Sequence, residues 1–257
     1  VEESENAGSQ KFAVFKTSPL FRLTATYDED LEKLADPDVD KKLAVQLVQR
    51  LAEAKDNRDS NVRALFIADV LLAVAVSGKN FTIPGTDIST RELPAVLEVL
   101  IVVCTFALVI AAVGFTTWLC YSQLLWTVMQ RRARAADIAG GIMTDAEHFN
   151  EMSVRLFQDK IALAGIELFT PMTGYKAVIW AFAVCSKVLF GALPIMHALL
   201  IVYGLAIVCE RSGFDVFRAL LILIVFVGHV MALILWFAPN ARFNFKMRLG
   251  TYTRQRP

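Results

Sequence analysis

Two histidines set in otherwise apolar sequence, His197 and His229, are the residues of this chain best placed for chemistry. His229 is the only ionisable side chain between Ala219 and Ala238, and His197 follows Pro194 in a second apolar run. An ionisable group at the centre of a bilayer costs about 2.5–3.5 kcal/mol on insertion scales, so each such residue marks a site by default. If the helices bearing them run antiparallel, the two rings lie at a similar depth. Three chemistries then compete. Each ring hydrogen-bonds a carbonyl or a Thr hydroxyl, or the pair responds to protons, or both rings enter one cavity and ligate haem or a metal.

A second set lies in the run that starts near residue 92. Glu98, Thr105, Thr116 and Gln123 are spaced by 7, 11 and 7 residues, which at 100° per residue returns each to nearly the same helix face. Cys104 and Thr117 border this polar stripe. It faces polar groups on neighbouring helices or, in an oligomer, lines a water-filled path with Glu98 as a cation-attracting mouth. Asp69 and Lys187 complete the intramembrane ionisable set. Lys187, Arg63 or Thr side chains of the second span are the expected partners of Asp69.

Nothing catalytic assembles. There is no GxSxG, HExxH, P-loop or GxGxxG, so the reading leans away from an enzyme. The four cysteines, Cys104, Cys120, Cys185 and Cys209, form no CxxC pair and no zinc spacing, and read as small hydrophobes. No metal is identified and no cofactor is called for outside the haem alternative. A net charge of +1 gives no global basic bias that would imply nucleic acid.

The elements that position these residues are membrane helices. The chain is 56% hydrophobic, and the run of about twenty residues at 219–238 spans roughly 30 Å at 1.5 Å per residue. The fold class expected is an all-α integral membrane protein with four transmembrane helices, cytoplasmic amphipathic helices and a short extracytoplasmic hairpin. Residues 1–62 are expected to form a cytoplasmic helical region, and no signal peptide is expected ahead of the first apolar run. Its capping box at Thr26–Glu29 starts one helix, and Asp36-Pro37 starts the next. Residues 63–129 hold transmembrane helices one and two around an outer hairpin at 79–92, with Pro84-Gly85 at its turn. Residues 130–176 form a cytoplasmic loop in which Thr144–Glu147 caps an amphipathic helix that carries His148. Residues 177–238 hold helices three and four, joined by a tight turn at Glu210–Gly213, and 239–257 is a basic tail.

Arg131, Arg132, Arg134, Arg242 and Lys246 flank the same ends of the runs and are expected to anchor at anionic headgroups. By the positive-inside rule both termini are cytoplasmic. The function expected is a non-enzymatic membrane protein acting as a homo-oligomer or as a subunit of a membrane complex. It is a channel or pore-like assembly regulated by its cytoplasmic helices, or a membrane anchor for a cytoplasmic protein partner. The alternative is a haem- or cofactor-binding electron-transfer subunit using His197 and His229.

Overall fold

The computed structural model describes residues 12–34, 37–78, 95–136, 172–213 and 215–248. Strand β1 (Phe12–Thr17) leads into α1 (Pro19–Leu34), α2 (Pro37–Val76), α3 (Val96–Ala136), α4 (Thr173–Ser212), α5 (Val216–Phe237) and strand β2 (Phe243–Arg248). Three of these helices, α3, α4 and α5, are long and apolar enough to cross a membrane, which makes this a multi-pass membrane protein. The expected hairpin at 79–92 and the amphipathic helix after Thr144 lie outside the described residues, as does His148.

Local chemistry explains the element boundaries. Ser18 and Pro19 start α1: the Ser18 hydroxyl accepts from the Phe21 amide at 3.1 Å and Pro19 takes the first helical position. The helix therefore begins upstream of the expected box at Thr26, whose hydroxyl donates back to the Arg22 carbonyl from within the helix. The second departure is larger. A helix ending before residue 63 and a separate first span were expected, yet α2 runs unbroken for 40 residues. No glycine or proline occurs between Asp38 and Ser77, so nothing interrupts it until Gly78 takes φ 73°.

The basic tail also holds an unanticipated element. Phe243-Asn244-Phe245-Lys246 alternates apolar and polar residues, and β2 pairs antiparallel with β1, Phe15 opposite Phe245 and Lys16 opposite Asn244. The Leu20 amide donates to the Pro239 carbonyl at 3.1 Å and ties this ribbon to the end of α5.

Two cores stack along the molecule. In the first, Ala68 and Leu72 of α2 meet Leu97, Ile101 and Cys104 of α3, Ile201 and Val208 of α4, and Leu221 and Val225 of α5. On α4 the buried positions His197, Ile201, Gly204 and Val208 recur at helical spacing, as do Leu221, Val225, Gly228 and Ala232 on α5. Small residues let the backbones approach, as membrane helices require where no hydrophobic drive brings them together. A Cβ on Gly228 would collide with the Thr105 methyl, and one on Gly114 would meet the Asn61 amide at 2.8 Å. The second core joins Leu31 of α1, Ala44, Leu47 and Leu51 of α2, and Leu125 and Val128 of α3. It extends the α2–α3 pair beyond the first core as a three-helix arm.

The contacts fix the directions. Thr105 lies by Gly228 and Thr116 by Leu235, so α3 and α5 run parallel. Asp69 lies by His197, and Val76 by Gly204, so α2 and α4 run parallel to each other and opposite to that pair.

Candidate functional site: a buried carboxylate–imidazole chain

One polar group from each helix of the first core converges at a single level. Nδ1 of His197 lies 2.8 Å from Oδ1 of Asp69, and its Nε2 lies 3.2 Å from Nε2 of His229. Nδ1 of His229 lies 2.8 Å from the Val225 carbonyl of its own helix. Cys104 of α3 completes the ring of elements, buried beside the Asp69 carboxylate. The chain is well enclosed: the His197 side chain is 5% exposed and that of Asp69 19%.

Helix geometry assembles this cluster. Asp69 sits between Ala68 and Leu72 on the inward face of α2, and Cys104 follows Ile101 on α3. His197 opens the inward stripe of α4. Gly228 draws α5 against Thr105 and so brings the neighbouring His229 to the level of His197. Thr105, 2% exposed, has its hydroxyl on the Ile101 carbonyl at 2.9 Å and only its methyl faces α5.

The two histidines expected at one depth are thus in contact. The partner of Asp69 is His197, which replaces the expected Lys187, Arg63 or threonines. Lys187 is exposed on α4, ten residues or about 15 Å from His197, too far to pair across that span. The polar stripe of α3 divides. Thr105 packs into the seam with α5, and Thr116 donates across that seam to the Leu235 carbonyl at 2.8 Å. Glu98 in the first turn and Gln123 near the arm are half-buried.

Among the expected headgroup anchors, Arg131 donates to the Asp28 carbonyl of α1 at 3.4 Å, 26 residues or about 39 Å along α3 from Thr105. Arg132 is half-buried beside it and Arg242 is exposed just before β2. The side chains of Arg134 and Lys246 lie outside the described residues. Arg58 caps the junction between bundle and arm, its guanidinium 4.3 Å from the Trp118 ring centre. Phe115 stacks on Trp236 at 4.7 Å nearby. Cys104 and Gly228 were not singled out as site residues by motif. Their signal was small residues recurring at the inward helical spacing.

The haem alternative fits this geometry poorly. Two imidazoles binding one metal from opposite sides, at about 2.0–2.1 Å each, need their nitrogens about 4 Å apart. Here the Nε2 atoms stand 3.2 Å apart and hydrogen-bond to each other, with both Nδ1 atoms engaged elsewhere. Among the described residues no group of three or more His, Cys, Asp or Glu side chains is arranged to hold a metal ion.

No family model, curated protein or solved structure matches the chain.

Proposed function

We propose that the protein is a non-enzymatic membrane anchor with four spans that presents a helical arm to a cytoplasmic protein partner, and that the buried Asp69–His197–His229 chain governs the arm's posture. The observation that carries this reading is the continuity of α2. It runs from Asp69, inside the bundle, to Pro37 at the far end of the arm, 32 residues or about 48 Å without a break.

The antiparallel ribbon supports an even number of crossings. The pairing of β1 with β2 keeps these two strands together, which favours an even number of crossings between them over the three most apolar helices alone. The inner half of α2, packed at Leu72 and Asp69 against α3 and α4, supplies the fourth. With Asp69 at the bilayer centre, Arg58 and Trp118 fall about 17 and 20 Å away, at the headgroup layer where aromatic and basic residues gather. Arg131 then lies well beyond the roughly 15 Å half-thickness of the hydrocarbon and belongs to the arm. Positive charge at this end makes it the cytoplasmic side.

The arm carries a surface for docking. A groove of about 370 Å³ runs along α2, lined by Leu43, Gln46, Leu47, Gln49, Arg50 and Glu53. The first half of α4, most of its described side chains exposed, gives a second copy or another membrane subunit an apolar face to cover. Cysteines placed at Gln46 and Gln49 test the reading. They should label freely in the purified protein and be protected in native membranes, and equal labelling in both would remove the anchor role.

The pore reading draws less support, because Thr105 and Thr116 of the stripe are engaged inside one chain. Cation flux in proteoliposomes that falls in Glu98→Gln would restore it.

A further inference from the structure

Counting the hydrogens in the buried chain assigns it a ligand. The Val225 carbonyl only accepts, so Nδ1 of His229 carries a hydrogen. The gap between the two Nε2 atoms then needs one hydrogen, and the gap between His197 Nδ1 and Asp69 needs another. Three arrangements fill both gaps. Asp69 is protonated and both rings are neutral, or His197 is the imidazolium beside an Asp69 carboxylate, or His229 is the imidazolium with His197 neutral. They interconvert as the O–H proton of Asp69 moves to His197 Nδ1 and the N–H proton at His197 Nε2 moves to His229 Nε2. All three carry zero net charge, so one mobile proton completes the site.

The chain is closed at one end. Both nitrogens of His229 are engaged, the outer one by a carbonyl that cannot pass a proton on. With the His229 end closed, and with Asp69 more exposed than His197 and than the buried Cys104 beside it, the proton enters and leaves at Asp69. No titratable group on the four packed helices other than Asp69, Cys104, His197 and His229 faces this cluster among the described residues. The arrangement stores a proton and does not conduct one.

Removal of that proton leaves one gap empty, with two lone pairs opposed. A hydrogen bond to a carboxylate is roughly twice as strong as a neutral one, so His197 turns its remaining N–H to Asp69. The empty gap then falls between His197 and His229, at the joint between α4 and α5. These two helices share few other contacts, while α5 is held to α3 along its length.

We propose that Asp69, His197 and His229 form a one-proton latch, in which a proton bound through Asp69 clips α4 to α5 and its loss lets them part. The inference deepens the proposed role of the cluster and rests on it, but not on any partner of the arm.

The test uses the full chain in nanodiscs, with ¹⁵N-labelled histidine and a spin-label pair at the exposed Val202 of α4 and Val227 of α5. Raising the pH should release one proton per chain, shift both imidazoles in the same step, leave the hydrogen on Nδ1 of His229 and widen the label distance. Asp69→Asn supplies a fixed amide hydrogen to His197 Nδ1 and should stay clipped at every pH. Independent titration of the two rings, two protons released, an unchanged label distance, or widening that persists in Asp69→Asn would each overturn the latch. The protection of Gln46 and Gln49 is read separately, so a failed latch and a failed anchor are told apart.

Discussion

Gly228→Ala tests the seam that sets the depth of His229. The added Cβ lands on the Thr105 methyl, and Thr105 cannot swing aside without giving up its 2.9 Å bond to the Ile101 carbonyl. Overpacking of this kind costs about 1–3 kcal/mol. The better helix propensity of alanine returns about 1 kcal/mol, so the single variant should lose about 1 kcal/mol. Thr105→Ser removes the obstructing methyl, keeps the hydroxyl and costs about 1 kcal/mol in lost apolar contact. In that background alanine at 228 no longer collides, and the pair should couple by about 2 kcal/mol. At about 2–4 °C per kcal/mol for a chain of this size, the coupling amounts to about 4–8 °C in Tm. Four tryptophans report the melt by intrinsic fluorescence in detergent. Additive single effects, within about 0.5 kcal/mol, would refute the close approach of α3 and α5 at this level.

Three other outcomes follow from the geometry. Asp215 caps α5 by accepting from the Arg218 amide at 2.9 Å, and this bond, with the paired Arg218 guanidinium, holds its carboxyl below the ordinary value of 3.8. A lowered carboxylate stabilises the fold above pH 3.8 and loses that contribution as pH falls through its depressed value, so Asp215→Asn should flatten the acid limb of a Tm–pH curve. Lys16→Cys with Asn244→Cys should join through a short bifunctional reagent, since these Cα atoms are partners across the ribbon, and no product in intact membranes would count against both ends lying on one side. Thr116→Val strips the donor from the Leu235 carbonyl and should lower stability by about 0.6 kcal/mol, the usual scale for interhelical hydrogen bonds in membranes, and an unchanged melt would remove that bond from the seam.

Much of the bundle was legible because the apolar runs are long and lipid permits few structures. The depth match of His197 and His229 came from run lengths and antiparallel order alone. Their rotation did not, because the angle of each helix about its own axis is set by packing, here by Gly204 against Ile101 and Gly228 against Thr105. For the same reason the partner of Asp69 was misassigned: residue type pointed to Lys187, while the inward stripe of α4 presents His197. The continuity of α2 through residue 63 was missed because charge density changes there and helix chemistry does not. The β1–β2 ribbon was missed because its two strands lie more than 220 residues apart, and alternation over six residues carries little weight without its partner.

An experimental density map of the full chain in a lipid nanodisc at acidic pH bears most directly on the central claim. It should place four helices in the slab, with Asp69, His197 and His229 in hydrogen-bond contact near its middle and the α2–α3 arm standing clear of one face. A map with α2 wholly outside the bilayer, or with the two imidazoles on faces turned away from each other, would contradict it.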